Sequence, residues 1–335
     1  MTTKDQALDL TEEVSAPRPA TFFSNAKVWR RADLSTSDWT VPVTAEVRAE
    51  LEAVVADLRR QPMPVNLLDH AEFEMDASRA MMTEVTAKVR DGIGFAQIDR
   101  LPLDNWEVEE TRAVYWLLIS MLSRPVAQES WGTIFRDIVE HGNDGADYEI
   151  TPAGKPLFYH TDNSASRLVN DYTSLMCIHG AAEGGASEYA TLYNLYNAMA
   201  DEAPELLDRL FEPFYHHRQG IEPKGDPAVS WAPALAFDGE KLESRFSPNK
   251  ITSGYKLAGV DMDNAGRAAL DTACDLIQKK ELSAIFMMER GQIQVINNRE
   301  GLHQRAEFKD GAATEQKRHL MRLWLRGRGR RQFDG

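Results

Sequence analysis

The stretch that decides the fold spans residues 157–162 and reads Leu157-Phe158-Tyr159-His160-Thr161-Asp162. Residues two apart on a β-strand point to the same side, so His160 and Asp162 could face one ion while Thr161 points away. A further histidine, His303, follows 141 residues after Asp162 (303 − 162). Only a fold that brings distant strands together, such as a barrel, would place it beside them.

Two imidazoles and one carboxylate form a donor set for a divalent metal. On one face of an ion they leave the opposite face open, as in non-haem Fe(II) oxygenases, although other divalent metals would also bind in vitro. A histidine and an aspartate two residues apart are common by chance. The simpler interpretation is therefore a histidine hydrogen-bonded to a loop aspartate. Only the surrounding sequence can distinguish this pair from a metal site.

Composition limits the possible partners. The chain has 335 residues, 43% of them hydrophobic, which is ample for one large domain with a buried core. A net charge of −14 argues against binding of nucleic acid, which needs a basic surface. We expect a disordered tail over residues 1–20, rich in polar residues, and a single catalytic domain over residues 21–330.

The cellular setting follows from what the sequence lacks. It contains no apolar run long enough to cross a membrane, and its first 20 residues do not resemble a secretory signal. The two cysteines, Cys177 and Cys274, give neither a disulfide framework nor a zinc-binding spacing. We expect buried free thiols, no membrane association and a cytoplasmic protein. The sequence leaves a homo-oligomer open.

Apolar periodicity predicts helices first and strands later, which indicates a mainly β, α+β protein whose barrel or sandwich core is braced by helices. Asp104 and Glu107 have the spacing of a capping box for one of the helices. The predicted helices lie at 45–61, 77–90, 105–122, 192–200, 204–210 and 264–280. The predicted strands lie at 93–101, 172–178, 283–288, 292–296 and 319–325.

Two further features accompany the histidines. The segment Glu183-Gly184-Gly185-Ala186-Ser187 follows an apolar strand, and Arg318 and Arg322 sit four apart on the last predicted strand, where both would point to one face. A guanidinium binds a carboxylate through two parallel hydrogen bonds and stays charged when buried. Internal salt bridges are the alternative explanation for both arginines.

Taken in order, these features resemble the Fe(II)/2-oxoglutarate dioxygenases of the taurine dioxygenase (TauD/TfdA) and clavaminate synthase-like superfamily. The resemblance covers about residues 90–326 and includes Gly92-Ile93-Gly94-Phe95 and the Asn297-Asn298 approach to His303. It implies a double-stranded β-helix, or jelly roll, as the core. Residues 1–90 resemble the family less and form a helical elaboration.

The resemblance also implies a role for individual residues. His160, Asp162 and His303 match the three metal ligands. Arg318 matches the arginine that pairs with the distal carboxylate of 2-oxoglutarate, and Ser187 matches the hydroxyl residue that helps to hold it. The implied cofactors are Fe(II), 2-oxoglutarate as co-substrate, and O2.

Three residues are weaker candidates for substrate contact. Arg322 matches a second arginine that faces either the substrate or the other end of the cofactor. Asn163 follows the metal motif and His179 ends an apolar strand, although a turn residue and a structural histidine are the simpler interpretations. His216 and His217 are adjacent, so they cannot both face one metal, and we expect them on the surface or at a rim.

The implied reaction is oxidation of a small molecule coupled to decarboxylation of 2-oxoglutarate to succinate and CO2. Asp162 favours hydroxylation, desaturation or cyclisation over halogenation, because related halogenases lack this carboxylate. An amino acid, phosphonate, betaine or natural-product intermediate would each be a possible substrate. The alternatives are a metal-dependent hydrolase or isomerase on a jelly roll, and a degenerate member that senses a ligand without catalysis.

Overall fold

The fold is described for residues 7–11, 17–139 and 155–335 of a computed structural model. The helices are α1 Thr36–Trp39, α2 Ala45–Arg60, α3 Asp76–Thr86, α4 Val108–Ser120, α5 Leu192–Glu202, α6 Pro204–Leu210, α7 Pro248–Ala258 and α8 Asn264–Ile277. The strands are β1 Leu8–Asp9, β2 Thr40–Val41, β3 Phe95–Ile98, β4 Pro125–Val126, β5 Arg136–Val139, β6 Leu157–His160, β7 Tyr172–His179, β8 Glu183–Gly184, β9 Ser187–Thr191, β10 Pro213–His217, β11 Val229–Pro233, β12 Leu235–Phe237, β13 Leu242–Ser244, β14 Ser283–Phe286, β15 Ile293–Asn297, β16 Gly301–Arg305, β17 Phe308–Lys309 and β18 His319–Leu325. The predicted α+β class is confirmed.

Two sheets form the centre of the molecule. The larger has the strand order β2-β3-β15-β7-β18-β4, with β5 also paired to β18, and the smaller has the order β14-β9-β16-β6. Phe95 of the larger sheet stacks on Phe286 of the smaller one, with ring centroids 5.5 Å apart and planes at 7°. The sheets therefore pack face to face, which is consistent with the predicted jelly roll.

Helices cover the outer faces of both sheets. Helices α2, α3 and α4 form one apolar core with β3, β7, β15 and β18, and helices α5, α6 and α8 form a second core with the small sheet and β10 to β13. Helix α4 is buried nearly all round, as its sequence predicts. No helix in the described ranges has the length and apolar content needed to span a bilayer.

Helix ends test the capping predictions. Helix α2 begins as predicted after Thr44, whose hydroxyl accepts a hydrogen bond from the amide of Val47 at 3.3 Å. The predicted capping box at Asp104 and Glu107 is wrong by one turn. Glu107 is instead the N-cap of α4, and its amide donates to the carboxylate of Glu110 at 2.8 Å. Three acidic residues at similar spacing made the two registers hard to distinguish.

The described residues 7–11 of the amino-terminal tail contact the rest of the fold, and residues 1–6 and 12–16 of the predicted disordered stretch 1–20 lie outside the described residues. Leu8 and Asp9 pair in parallel with Ser230 and Trp231 of β11. Leu8 and Leu10 are buried against Ala232. Two leucines within a polar stretch are enough to dock a short strand on an exposed sheet edge.

The prediction of a surface position for His216 is also wrong. His216 is fully buried on β10, and its Nε2 donates to the carbonyl oxygen of Ala232 at 3.0 Å. Helix α7, which periodicity did not reveal, packs directly on this strand. Gly254 allows the close approach, because a Cβ there would lie 2.4 Å from the carbonyl oxygen of Tyr215.

The contact at Gly254 gives a prediction about stability. We expect Gly254→Ala to lower the free energy of unfolding by about 1–3 kcal/mol, because the methyl group meets backbone that cannot move without separating α7 from β10. Thr252→Ala, at an exposed position of the same helix, should change it by less than about 0.5 kcal/mol. Chemical denaturation of both variants measures the difference, and equal effects would show that the contact is not tight.

Candidate metal and cofactor site

His160 and His303 face each other across two paired strands of the small sheet. They are direct partners in the antiparallel register of β6 and β16, and their ring centroids are 4.2 Å apart. The sequence separation of the two histidines is thus closed by strand pairing, as predicted. The irregular register of β16 after His303 marks a bulge beside the site.

Asp162 reaches the histidines by a different route from the one that strand alternation predicts. Strand β6 ends at His160, so Asp162 lies in the following turn. The side chain of Asn298 accepts from the Asp162 amide at 2.9 Å and donates to the Asp162 carbonyl oxygen at 3.1 Å. Thr161 does point away, and its hydroxyl lies 2.6 Å from that of Ser244.

The three donor atoms form a triangle of the size that a metal ion needs. Oδ1 of Asp162 lies 3.4 Å from Nε2 of His160 and 3.8 Å from Nε2 of His303, and all three atoms lie within 4.8 Å of one another. Ligand atoms about 2 Å from one ion are separated by distances of this order. The residues therefore fit a divalent ion bound on one face.

The surroundings of the two imidazoles differ. Nδ1 of His160 donates to the carbonyl oxygen of Phe158 at 2.8 Å, which orients the ring so that Nε2 faces Asp162. Burial and the neighbouring His160 lower the pKa of His303 to about 3, so His303 is neutral at physiological pH. Nδ1 of His303 is buried and has no hydrogen-bond partner among the described residues.

The second oxygen of Asp162 is fully engaged by the protein. Oδ2 accepts hydrogen bonds from the hydroxyl of Thr173 at 2.9 Å and from the indole nitrogen of Trp324 at 3.0 Å. Burial alone would raise the pKa of Asp162, but Arg322 and the two histidines outweigh it and hold the pKa well below its usual range. Asp162 is therefore a charged carboxylate with only Oδ1 left for an ion.

Arg322 lies beside this carboxylate. Its Nη1 is 3.7 Å from Oδ1 of Asp162, its Nε donates to Gln128 at 2.7 Å, and its guanidinium lies 4.6 Å from the centre of the Trp324 ring. Arg318 directly precedes β18, and Arg322 lies within that strand. Arg322 lies near the metal donors, and Arg318 lines a cavity.

Arg318 and Ser187 line this cavity together. Its remaining lining residues are Cys177, Gly180, Ala181, Gly184, Gly185, Met287, Met288 and Leu320. No carboxylate in the described ranges lies within 4 Å of the Arg318 guanidinium, which rests 5.3 Å from the centre of the Phe308 ring. Burial and the nearby Arg305 lower the pKa of Arg318 to about 10. The more distant Asp310 opposes this shift. A carboxylate ligand would satisfy a buried cation that has no ion pair.

The glycine pair shapes one wall of the cavity. Gly184 and Gly185 have φ of +73° and +79°, which other residues rarely adopt, and a Cβ at Gly184 would lie 2.4 Å from the carbonyl oxygen of Glu307. A Cβ at Gly185 would lie 3.8 Å from Nε of Arg318. The pair therefore brings the backbone close to the guanidinium.

The structure gives the weaker candidates other surroundings. Asn163 donates to the carbonyl oxygen of Leu168 at 3.2 Å and accepts from the hydroxyl of Ser166, so its side chain closes its own loop. His179 lies six residues after Thr173 on β7, a separation of about 20 Å along a strand. It lies beside His319 rather than at the three donor atoms.

Sequence reasoning missed Lys250. This residue lies in the first turn of α7, and its charge interacts with those of Asp162 and Arg322. Burial lowers the pKa of Lys250 to about 8, and Asp162 opposes this shift. No local pattern distinguishes Lys250 from a surface lysine, because only the packing of α7 brings it to the site.

Comparison with known proteins identifies the family. The model of the "Taurine catabolism dioxygenase TauD, TfdA family" matches residues 65–324, and the chain belongs to this family. The predicted enzyme class, an Fe(II)- and 2-oxoglutarate-dependent dioxygenase, is confirmed by this membership.

Two curated relatives match parts of the chain. The FR-33289 synthase of Streptomyces rubellomurinus is 25% identical over 313 residues, which cover 91% of each chain. The taurine hydroxylase-like protein SAT17 of Stachybotrys chartarum is 29% identical over 170 residues, which cover 50% of this chain and 41% of that protein.

Solved structures share the fold at lower identity. The asparagine oxygenase AsnO superposes with a TM-score of 0.67 at 16% identity and covers 87% of this chain and 93% of its own. The non-haem iron oxygenase OrfP, solved in complex with Fe, succinate and (3S)-hydroxy-L-Arg, has a TM-score of 0.65 at 16% identity and covers 86% and 94%.

The hydrogen bond from Trp324 to Asp162 gives a prediction about metal affinity. We expect Trp324→Phe to weaken Fe(II) binding by about 10- to 100-fold, because the ring is kept while the donor that orients the carboxylate is lost. Trp29→Phe is the matched control, since the Trp29 indole donates to the carbonyl oxygen of Ile93 at 3.0 Å, elsewhere in the fold. Anaerobic calorimetric titration compares the two variants. Equal affinities would contradict the role of Trp324.

Proposed function

We propose that His160, Asp162 and His303 hold Fe(II) in this enzyme. The observation that carries the proposal is the triangle of two imidazole nitrogens and one charged carboxylate oxygen, which all lie within 4.8 Å of one another. This donor set occupies one face of an ion and leaves the other for small ligands. Trp324 and Thr173 keep Oδ2 of Asp162 engaged, so that the carboxylate binds through Oδ1 alone.

We propose in addition that Arg318 and Ser187 bind the distal carboxylate of 2-oxoglutarate. The buried guanidinium, the hydroxyl and the glycine loop meet in one cavity, and the cation there has no carboxylate partner in the described part of the chain. A charge-assisted, bidentate contact with a carboxylate would satisfy it. Cys177 and the two methionines of the wall give the aliphatic middle of the co-substrate an apolar surface.

When bound, iron and 2-oxoglutarate supply the oxidising chemistry, in which O2 is reduced and the keto acid becomes succinate and CO2. The protein binds, orients and shields the reactants. Arg322, held by Gln128 and Trp324, presents its charge beside Asp162, where it can meet the substrate or the metal-binding end of the co-substrate. The apolar walls exclude water from the site.

The substrate is a small molecule, and we propose that the reaction is its hydroxylation. The similar asparagine oxygenase and OrfP were solved in complex with 3-hydroxyasparagine and (3S)-hydroxy-L-Arg, which supports hydroxylation of a polar, amino-acid-sized compound. Desaturation and cyclisation use the same site and differ only in the product. We propose further that residues 21–330 act as one catalytic domain in the cytoplasm.

Succinate formation separates this function from its alternatives. We expect purified protein with Fe(II), O2 and 2-oxoglutarate to release succinate, and to release it faster with one member of a panel of amino acids, amines and phosphonates. A hydrolase or isomerase would convert its substrate without succinate, and a sensor would bind without turnover. Absence of succinate with every panel member, despite bound iron and 2-oxoglutarate, would argue for the sensor.

The unpaired guanidinium gives a quantitative prediction. We expect Arg318→Leu to weaken 2-oxoglutarate binding by about 10- to 150-fold, because a hydrogen bond to a charged group contributes about 1.5–3 kcal/mol. Fe(II) affinity should stay unchanged, since Arg318 does not contact the three donor atoms. The control is Arg60→Leu, which removes an exposed arginine of α2. Unchanged 2-oxoglutarate affinity in the Arg318 variant would exclude this assignment.

A further inference from the structure

Lys250 is the one cation at the site, among the described residues, that the proposed function leaves without a role. It is only partly exposed, and its charge interacts with Asp162 and Arg322. In the part of the chain that the structure describes, its ammonium group has no hydrogen bond and no ion pair. A shielded, unpaired ammonium group is unfavourable unless an anion completes its surroundings.

The fold fixes the position of Lys250 from two directions. The amide of Thr161, between the two proposed ligands of its segment, donates to the carbonyl oxygen of Phe246 at 2.7 Å. Helix α7 starts two residues later, so its first turn follows directly from this contact with the metal motif. Four residues after Lys250, on the same face of the helix, Gly254 packs against the backbone of β10.

His216 of β10, which neighbours Lys250, cannot neutralise the charge of the Lys250 ammonium group. Burial and the charges of Arg245 and Lys250 lower the pKa of His216 to about 3, so its imidazole is neutral. Its Nε2 donates to the carbonyl oxygen of Ala232, while its buried Nδ1 has no hydrogen-bond partner among the described residues. The surroundings of Lys250 thus hold an acceptor but no carboxylate other than Asp162.

The charge balance at the site selects the ligand. Among the described residues, Asp162 is the only carboxylate within 4 Å of the Arg322 guanidinium. The buried carboxylate of Glu129 pairs with Arg136 instead. Iron and the metal-binding end of 2-oxoglutarate together add positive charge. With Lys250 and Arg322 present, an excess of positive charge remains, and an anionic group on the substrate would offset it.

We propose that Lys250 binds an anionic group of the substrate, a carboxylate or a tetrahedral oxyanion, and so orients the substrate over the metal. This assignment rests on the proposed function, since it assumes that the three donor atoms hold iron. It makes Lys250 a determinant of substrate choice that disfavours substrates with a cationic group at this position. Arg322 is the second cation that such a group can reach.

The test uses the anaerobic complex with Fe(II) and 2-oxoglutarate, in which no turnover occurs. The probes are methylphosphonate, acetate and methylammonium, and calorimetry measures their binding. We expect at least one anion to bind to the wild type and methylammonium not to bind. Lys250→Met should weaken the anion by about tenfold or more, and Lys250→Arg should restore part of the affinity. Lys256→Met, which removes an exposed lysine of the same helix, should have no effect.

A second readout locates the anion. An amine-reactive reagent should modify Lys250 more slowly when the bound anion is present, as measured by peptide mass spectrometry. The Lys250→Met variant should retain the visible band of the Fe(II)–2-oxoglutarate complex. If the wild type shows no such band with Fe(II) and 2-oxoglutarate, the proposed function itself is refuted. An intact band with equal anion affinity in wild type and Lys250→Met, or with no anion bound by either, would overturn only the role of Lys250.

Discussion

The buried carboxylate of Asp162 is the constraint on which the rest of the site depends. A charge removed from water is costly unless every lone pair finds a partner, and Asp162 is only 6% exposed. Thr173 and Trp324 of the large sheet bind one oxygen, and the histidines of the small sheet face the other. The carboxylate therefore links the two sheets at the point where the metal is proposed to bind.

The cationic side chains of the site lie in two separate regions. Arg318 lies in the cavity beside Ser187, at the end of β18 where a dicarboxylate can reach it. Arg322 and Lys250 lie at the metal side, where Asp162 offsets part of their charge. Arg318 directly precedes β18 and Arg322 lies within it, so this strand sets the distance between the two arginines. In the proposed function, Arg318 binds the co-substrate and Lys250 binds the substrate.

Sequence alone predicted the donor residues but not all of the ways in which the fold places them. His160, Asp162 and His303 were identifiable because their residue types and order are distinctive. The sequence did not predict that Asp162 lies in a turn, because a spacing of two residues is equally compatible with a strand and with a strand followed by a turn. Lys250 and the buried His216 were not predictable, because the packing of α7 on β10 depends on contacts distant in sequence.

The most direct measurement is anaerobic titration of the protein with Fe(II) in the presence of 2-oxoglutarate. The account predicts one iron per chain and a weak visible band in the wild type, with both lost in His303→Ala. Strand β16 pairs with β9 through its backbone, so we expect His303→Ala to leave this strand in place. A His303→Ala variant that binds iron and 2-oxoglutarate as tightly as the wild type would contradict the assignment of the metal site.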